Sequence, residues 1–143
     1  MDARQLADRL AIQDVLVRYC TAIDTGSYDL LDDVFTADGI GDYTGAGGIR
    51  GTVAEIKAWL SRALVPFTVR QHLVTNFRIA IDGDTATSHC YLFNPLGFAG
   101  DDGQMQMLFC GGAYTDVFVR TSAGWRIRER VISTVYLHGK LPG

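Results

Sequence analysis

Asp24, His72, Tyr19 and Tyr43 are among the residues of this chain whose types suit proton transfer. A carboxylate hydrogen-bonded to a histidine selects one tautomer and makes the free ring nitrogen more basic. A buried phenol offers a neutral donor to negative charge that develops during a reaction. Asp24 falls in the last turn of a predicted helix, where the dipole disfavours a carboxylate by a few tenths to about 1 kcal/mol. Tyr19 and Ile23 turn that end of the helix toward the core, so burying Asp24 would cost more unless a partner compensates it. Asp24 also reads as an ordinary polar member of the stop signal Asp24-Thr25-Gly26. His72 lies early in a predicted strand. Alternation puts Arg70, His72, Val74 and Asn76 on one face, and Leu73, Thr75, Phe77, Ile79 and Ile81 on the other, more apolar one. His89 and His138 offer the same chemistry, and alternation does not choose among the three. Tyr91 and Tyr114 join Tyr19 and Tyr43 as phenols in predicted regular elements, and each is equally readable as a core tyrosine with a satisfied hydroxyl.

These residues need elements to hold them. Leu6, Leu10, Val15, Leu16, Tyr19 and Ile23 recur at helical spacing, predicting a helix from about Ala3 to Ile23 that ends at Gly26. A second, short helix follows, with Ser27 as candidate N-cap and Leu30, Leu31, Val34 and Phe35 as its apolar face. Ile40–Thr44 reads as a short strand and Gly45–Gly51 as a flexible loop. Thr52 and Glu55 form a capping box that opens a third helix, with Ile56, Trp59, Leu60 and Ala63 buried and Pro66 at its end. The period then changes to that of strands. Val69–Ile81, Thr85–Phe98, Gln104–Arg120 and Trp125–Tyr136 are joined by short turns, with a bulge or bend expected at Pro95. Three helices followed by a four-strand meander predict one α+β domain over residues 1–143, a curved antiparallel sheet wrapped around a pocket by helices.

Composition excludes several classes. With 48% hydrophobic and 20% charged residues, the chain is neither disordered nor fibrous. A net charge of −3 provides no electrostatic footprint for nucleic acid, and Arg126, Arg128 and Arg130 on one predicted strand read as a solvated or interface stripe. No apolar run is long enough to span a membrane, and no leader segment is recognisable. Cys20, Cys90 and Cys110 lack disulfide or zinc spacing and read as reduced thiols of a cytoplasmic protein. No metal-ligand spacing and no nucleophile elbow occurs, and the 45–51 glycines lack a dinucleotide register, so no metal or cofactor is expected.

Ala11-Ile-Gln-Asp-Val-Leu16, Arg18-Tyr19 and Asp24-Thr-Gly-Ser-Tyr-Asp-Leu-Leu31 resemble the opening of the SnoaL-like proteins, within the nuclear transport factor 2-like, or cystatin-like, superfamily. Gln71-His-Leu-Val-Thr-Asn76, Gly112-Ala-Tyr114 and Gly124-Trp-Arg-Ile-Arg-Glu-Arg130 continue the likeness over nearly the whole chain. The resemblance implies a cone-shaped fold. It is nearest in motif to the superfamily's scytalone dehydratases, bile-acid 7α-dehydratases and hexachlorocyclohexane dehydrochlorinases, which use an Asp–His pair inside the cone. Asp24 and His72 match that pair, Tyr19 matches a tyrosine five residues before the aspartate, and Tyr43 matches one that binds a substrate carbonyl through water. Asn94 falls near the place of a second histidine that this chain lacks, Tyr114 at a substrate-contacting position, and Arg128 near an assisting arginine. Phe93 and Phe109 are further candidates to line the pocket, alongside Met105 and Met107.

The function expected on this basis is a cofactor-independent lyase, of dehydratase or dehydrohalogenase type, acting on an apolar small molecule. A ketosteroid-isomerase-like isomerase or a polyketide cyclase using the same pocket is the first alternative, and a noncatalytic binding or dimerisation module the second. A homo-oligomer, dimer or trimer, is expected from the arginine stripe and the apolar tail Val135–Gly143.

Overall fold

Asp2 starts the first helix by a reciprocal cap with Gln5. Its Oδ1 accepts the Gln5 N–H at 2.8 Å, and Gln5 Oε1 accepts the Asp2 N–H at 3.1 Å. The computed structural model describes residues 1–143. Helix α1 spans Ala3–Thr25 and stops at Gly26, whose φ of 69° is readily available to glycine. Its buried face is Asp8, Ile12, Val15, Leu16, Tyr19, Cys20, Ala22 and Ile23. Leu6 and Leu10, expected in that stripe, lie on the solvent side. The helix is rotated so that Asp8 faces the protein, where Arg120 and Trp125 bind it.

The second predicted helix is a 3₁₀ turn, Tyr28–Asp33, with no side-chain cap from Ser27. Leu31 and Val34 are buried as expected, but Leu30 is exposed and Phe35 already belongs to β1, Phe35–Gly45. The glycine segment is not a loose loop. Gly47, at φ 75°, closes a hairpin that lays β2, Arg50–Thr52, antiparallel to β1. Helix α2, Val53–Ala63, opens with the predicted Thr52–Glu55 box.

The remaining strands are β3 (Val69–Arg70), β4 (Leu73–Asp82), β5 (Thr85–Ala99), β6 (Met105–Thr121) and β7 (Gly124–Gly139). The sheet runs β2-β1-β7-β6-β5-β3, with β4 also on β5. All pairs are antiparallel except β1 with β7, which is parallel because the intervening chain crosses over to bring β7 beside β1. Thus the curved sheet is extended by one parallel neighbour at its helical end, and α1 and α2 close the concave side over a core that includes Leu16, Ile23, Ile56, Phe118 and Ile127.

Three of the chain's departures from regular strand pairing bear on which side chains face inward. First, the predicted strand 69–81 breaks at Gln71–His72 while β5 runs on through Pro95, paired with Phe109. Gln71 N–H reaches the Pro95 carbonyl at 3.1 Å, and proline has no N–H to return that bond. The expected bend at Pro95 therefore falls on its partner strand. Second, Asn76, at φ 57°, forms a bulge between Thr75 and Arg78. The extra residue lets Val74 share the inner side with Phe77, Ile79 and Ile81, which strict alternation had put on opposite faces. Third, Val117 pairs with Glu129 but Phe118 pairs with Ile127, leaving Arg128 as an extra residue on β7. That bulge keeps Arg128 outside and turns both Ile127 and Arg130 inward.

Candidate active site

The C-terminal end of α1 delivers Asp24 to the sheet edge where β3 and β4 part. Asp24 Oδ1 lies 2.6 Å from His72 Nδ1, and Oδ2 accepts the His72 backbone N–H at 2.9 Å. Two hydrogen bonds offset the unfavourable position of a carboxylate at a helix C-terminus, and they fix both the ring and its backbone. The His72 side chain is only 6% exposed and lines a cavity of about 520 Å³. With Nδ1–H donating to Asp24, the neutral ring carries its lone pair on Nε2, which makes no hydrogen bond within the protein.

Tyr19 from α1 and Tyr43 from β1 reach the same cavity and hydrogen-bond to each other, with their hydroxyl oxygens 2.6 Å apart. Of the two hydroxyl protons, one spans this contact and the other is free for an occupant. Burial pushes the pKa of Tyr19, Tyr43 and Tyr114 up, so all three stay neutral phenols, able to donate rather than act as bases. Tyr43 packs edge-on against Trp59 of α2, and Tyr19 against Tyr114 of β6.

Beneath the rings lies a fully buried ion pair that sequence reasoning missed. Arg130 Nε and Nη2 donate to the Asp116 carboxylate at 2.7 and 2.9 Å, and the guanidinium sits over the faces of Tyr19 and Tyr114. Burial alone disfavours the Arg130 charge, but Asp116 outweighs it and raises its pKa. The positive charge works against the upward shift of the tyrosines and so strengthens them as donors. One signal was available: Tyr114, Asp116 and Phe118 alternate onto one face of β6, and a carboxylate on such an apolar face demands a cation. The pattern that groups Arg130 with Arg126 and Arg128 as a solvated or interface stripe does not hold for it. Only Arg128 is exposed; Arg126 is half-buried and Arg130 buried.

Among the residues expected in the pocket, Asn94 and Tyr114 line it, together with Leu92 and Leu96. Phe93 and Phe109 do not. They stack on the opposite, convex face of the sheet with centroids 6.2 Å apart and rings parallel to within 1°. The reason is the pleat: Leu92, Asn94 and Leu96 face the cavity, so Phe93 must face away. Arg128 is also outside the cavity, its side chain 45% exposed and 3.9 Å from Glu129. Tyr91 and His89 pack edge-on on the convex face, and His138 is exposed on β7. Neither competes with His72 for the cavity.

The cavity wall is otherwise mostly hydrophobic, including Leu60, Phe67, Leu108 and Ile132. No group of three or more His, Cys, Asp or Glu side chains is placed to hold a metal ion. Burial pushes the thiols of Cys20 and Cys90 up to about 11 and raises that of cavity-lining Cys110, so none is an activated nucleophile. The arrangement can therefore bind an apolar molecule, remove a proton at Nε2 and donate a hydrogen bond from the tyrosine pair. No helix is long and apolar enough to cross a membrane.

Comparison with known proteins agrees with this architecture. The description of a SnoaL-like domain matches residues 4–131. The uncharacterized protein Rv2910c of Mycobacterium tuberculosis is 50% identical over 131 residues, spanning 92% of this chain and 88% of that protein. A Novosphingobium aromaticivorans protein provisionally named an aromatic ring hydroxylase is 30% identical, with a TM-score of 0.83 over 94% of each chain. A type 2 hexachlorocyclohexane dehydrochlorinase is similar in fold, with a TM-score of 0.83 and 19% identity over 100% of this chain and 95% of that one.

Proposed function

This chain belongs to the SnoaL-like domain family, and from that premise we propose that it is a cofactor-independent lyase acting on an apolar small molecule. The observation that carries the reading is the state of His72: Nδ1 and the backbone N–H are both held by Asp24, while Nε2 is left unpartnered in a largely apolar cavity. Nε2 takes a proton from a carbon next to an activating group, and Asp24 stabilises the imidazolium that forms. The Tyr19–Tyr43 pair donates to the substrate atom that gains negative charge. Electrons from the broken C–H bond form the new double bond as hydroxide or halide departs. A positioned base contributes roughly 10²–10⁴-fold, and exclusion of water strengthens the tyrosine contacts.

The fold shared with a dehydrochlorinase supports elimination as a precedent on this scaffold; the chemistry rests on the dyad. The tyrosine pair also suits an enolate that is reprotonated elsewhere, which is the isomerase reading of the same pocket. Product analysis separates the two. Incubating the protein with panels of cyclic alcohols, chlorinated cycloalkanes and β,γ-unsaturated ketones, followed by mass spectrometry, should show loss of water or halide. His72→Ala should lower that rate by at least about 10²-fold. Full activity in a folded His72→Ala protein overturns the proposal.

The acting unit in this reading is a single domain over residues 1–143, assembled as a homo-oligomer through the convex sheet face. Tyr91, Phe93, Val131 and Tyr136 are each between 41% and 52% exposed there, and large apolar side chains grouped on one face mark interaction sites. Its three free thiols suit the reducing cytoplasm.

A further inference from the structure

Asn94 stands out among buried polar groups. It is 9% exposed, lies on β5 with its side chain lining the cavity, and makes no side-chain hydrogen bond. Its Oδ1 is closed off from solvent without a donor, its Nδ2 on the cavity side also has no partner, and the residue opposite it on β6 is Cys110, whose thiol does not reach it. An unsatisfied buried amide costs on the order of 1–3 kcal/mol, so a sequence that keeps one in an apolar wall leaves a demand for the occupant to meet. The register on either side, Arg70 opposite Leu96 and Leu73 opposite Phe93, sets Asn94 across from the Gln71–His72 break. The unpartnered amide on β5 and the unpartnered Nε2 of His72, in the break opposite it, therefore both open on the cavity from adjacent stretches of backbone.

We infer that Asn94 reads a hydroxyl group on the ligand beside His72, which makes the cavity's substrate an alcohol rather than an organohalide. A half-turn of the terminal amide exchanges Oδ1 and Nδ2 with almost no change in shape. In one orientation the amide donates to the ligand oxygen, and in the other it accepts the ligand's O–H. A hydroxyl satisfies whichever amide atom faces the cavity. A carbon-bound chlorine has no proton to donate and is a feeble acceptor, so it leaves the amide orphaned both ways. Sites built to hydrogen-bond a hydroxyl reject analogues that lack it far more strongly than apolar pockets reject a missing methylene. The inference rests on the elimination reading above and narrows it to dehydration.

The test uses the full chain and three inert probes of similar shape, 2-naphthol, 2-chloronaphthalene and naphthalene, with dissociation constants measured by calorimetry or fluorescence. The wild type should bind 2-naphthol at least about 10-fold more tightly than 2-chloronaphthalene, one hydrogen bond's worth. Asn94→Leu should bring the ratio to within about twofold of unity, whereas His72→Ala should keep most of it. A complex of the wild type with 2-naphthol, which needs no variant, should place the ligand oxygen within about 3.2 Å of an Asn94 amide atom. Equal binding of the two probes, failure of 2-naphthol to bind at all, an unchanged ratio in Asn94→Leu, or a naphthol oxygen elsewhere in the complex would each overturn the inference. Because binding is read without turnover, those outcomes are separate from the fate of the His72→Ala activity assay.

Discussion

The guanidinium of Arg130 lies 3.8 Å from the centre of the Tyr114 ring, and the same group is bonded through two nitrogens to Asp116. Both members of that ion pair have fully buried side chains. Removing one partner strands a charge in the core. Arg130→Met and Asp116→Leu should each cost about 3–5 kcal/mol in urea denaturation, and the double variant should recover most of that loss. A double variant no more stable than the singles would show that the pair's packing, not its charge balance, matters.

The hydrogen bonds from His72 to Asp24 specify one tautomer. Nitrogen NMR of the neutral ring should show a protonated Nδ1 and an unprotonated Nε2. Asp24→Asn, which keeps the shape but can donate as well as accept, should admit the other tautomer and lower kcat by about 10²–10⁴-fold with little change in KM. A wild-type ring protonated at Nε2 would remove the base from the proposed mechanism.

At the far end of α1, Arg120 holds both oxygens of Asp8 at 2.7 and 2.8 Å, and Trp125 Nε1 donates to Oδ1 at 3.0 Å. The Arg120 bonds, then the Trp125 bond, lower the Asp8 pKa from 3.8 to about 2. A depressed carboxyl stabilises the fold in its ionised form, so this contribution is complete above about pH 4 and is lost as pH falls through about 2. The stability difference between wild type and Asp8→Asn should accordingly be constant near neutrality and shrink between pH 4 and 2. A difference that does not shrink would assign the effect of the substitution to geometry.

Gly112 lies where β6 and β7 change register around the extra residue Val135, and a Cβ there would run into the Ser133 carbonyl. Backbone cannot yield as a flexible side chain does. Gly112→Ala should destabilise by about 1–3 kcal/mol and should disturb the cavity wall it helps form. Unfolding at wild-type denaturant concentrations would show that the two strands can separate freely.

The convex aromatic face provides a test of assembly. Phe93→Glu with Tyr136→Glu places two charges on exposed residues outside the cavity, so a dimer or trimer held by this face should sediment as a monomer. A wild type that is monomeric at micromolar concentration would refute the oligomer proposal outright.

Local patterns were enough to derive much of this molecule. The glycine stop after α1, the Thr52–Glu55 cap, the change from helical to strand period after Pro66 and the four long strands are properties of neighbouring residues, and each recurs in the fold within a few positions. Family resemblance also nominated Asp24 and His72, which the folded chain brings to 2.6 Å across forty-eight residues of sequence. What periodicity could not deliver was inward or outward direction after a break in the pleat. A single extra residue reverses every side chain beyond it, and the bulges at Asn76 and Arg128 did so, bringing Val74 to the same side as Phe77 and sending Arg130 into the core while Arg128 stayed in water. Whether a strand carries such a residue depends on what its neighbours require across the sheet, and that is decided only when distant segments pair.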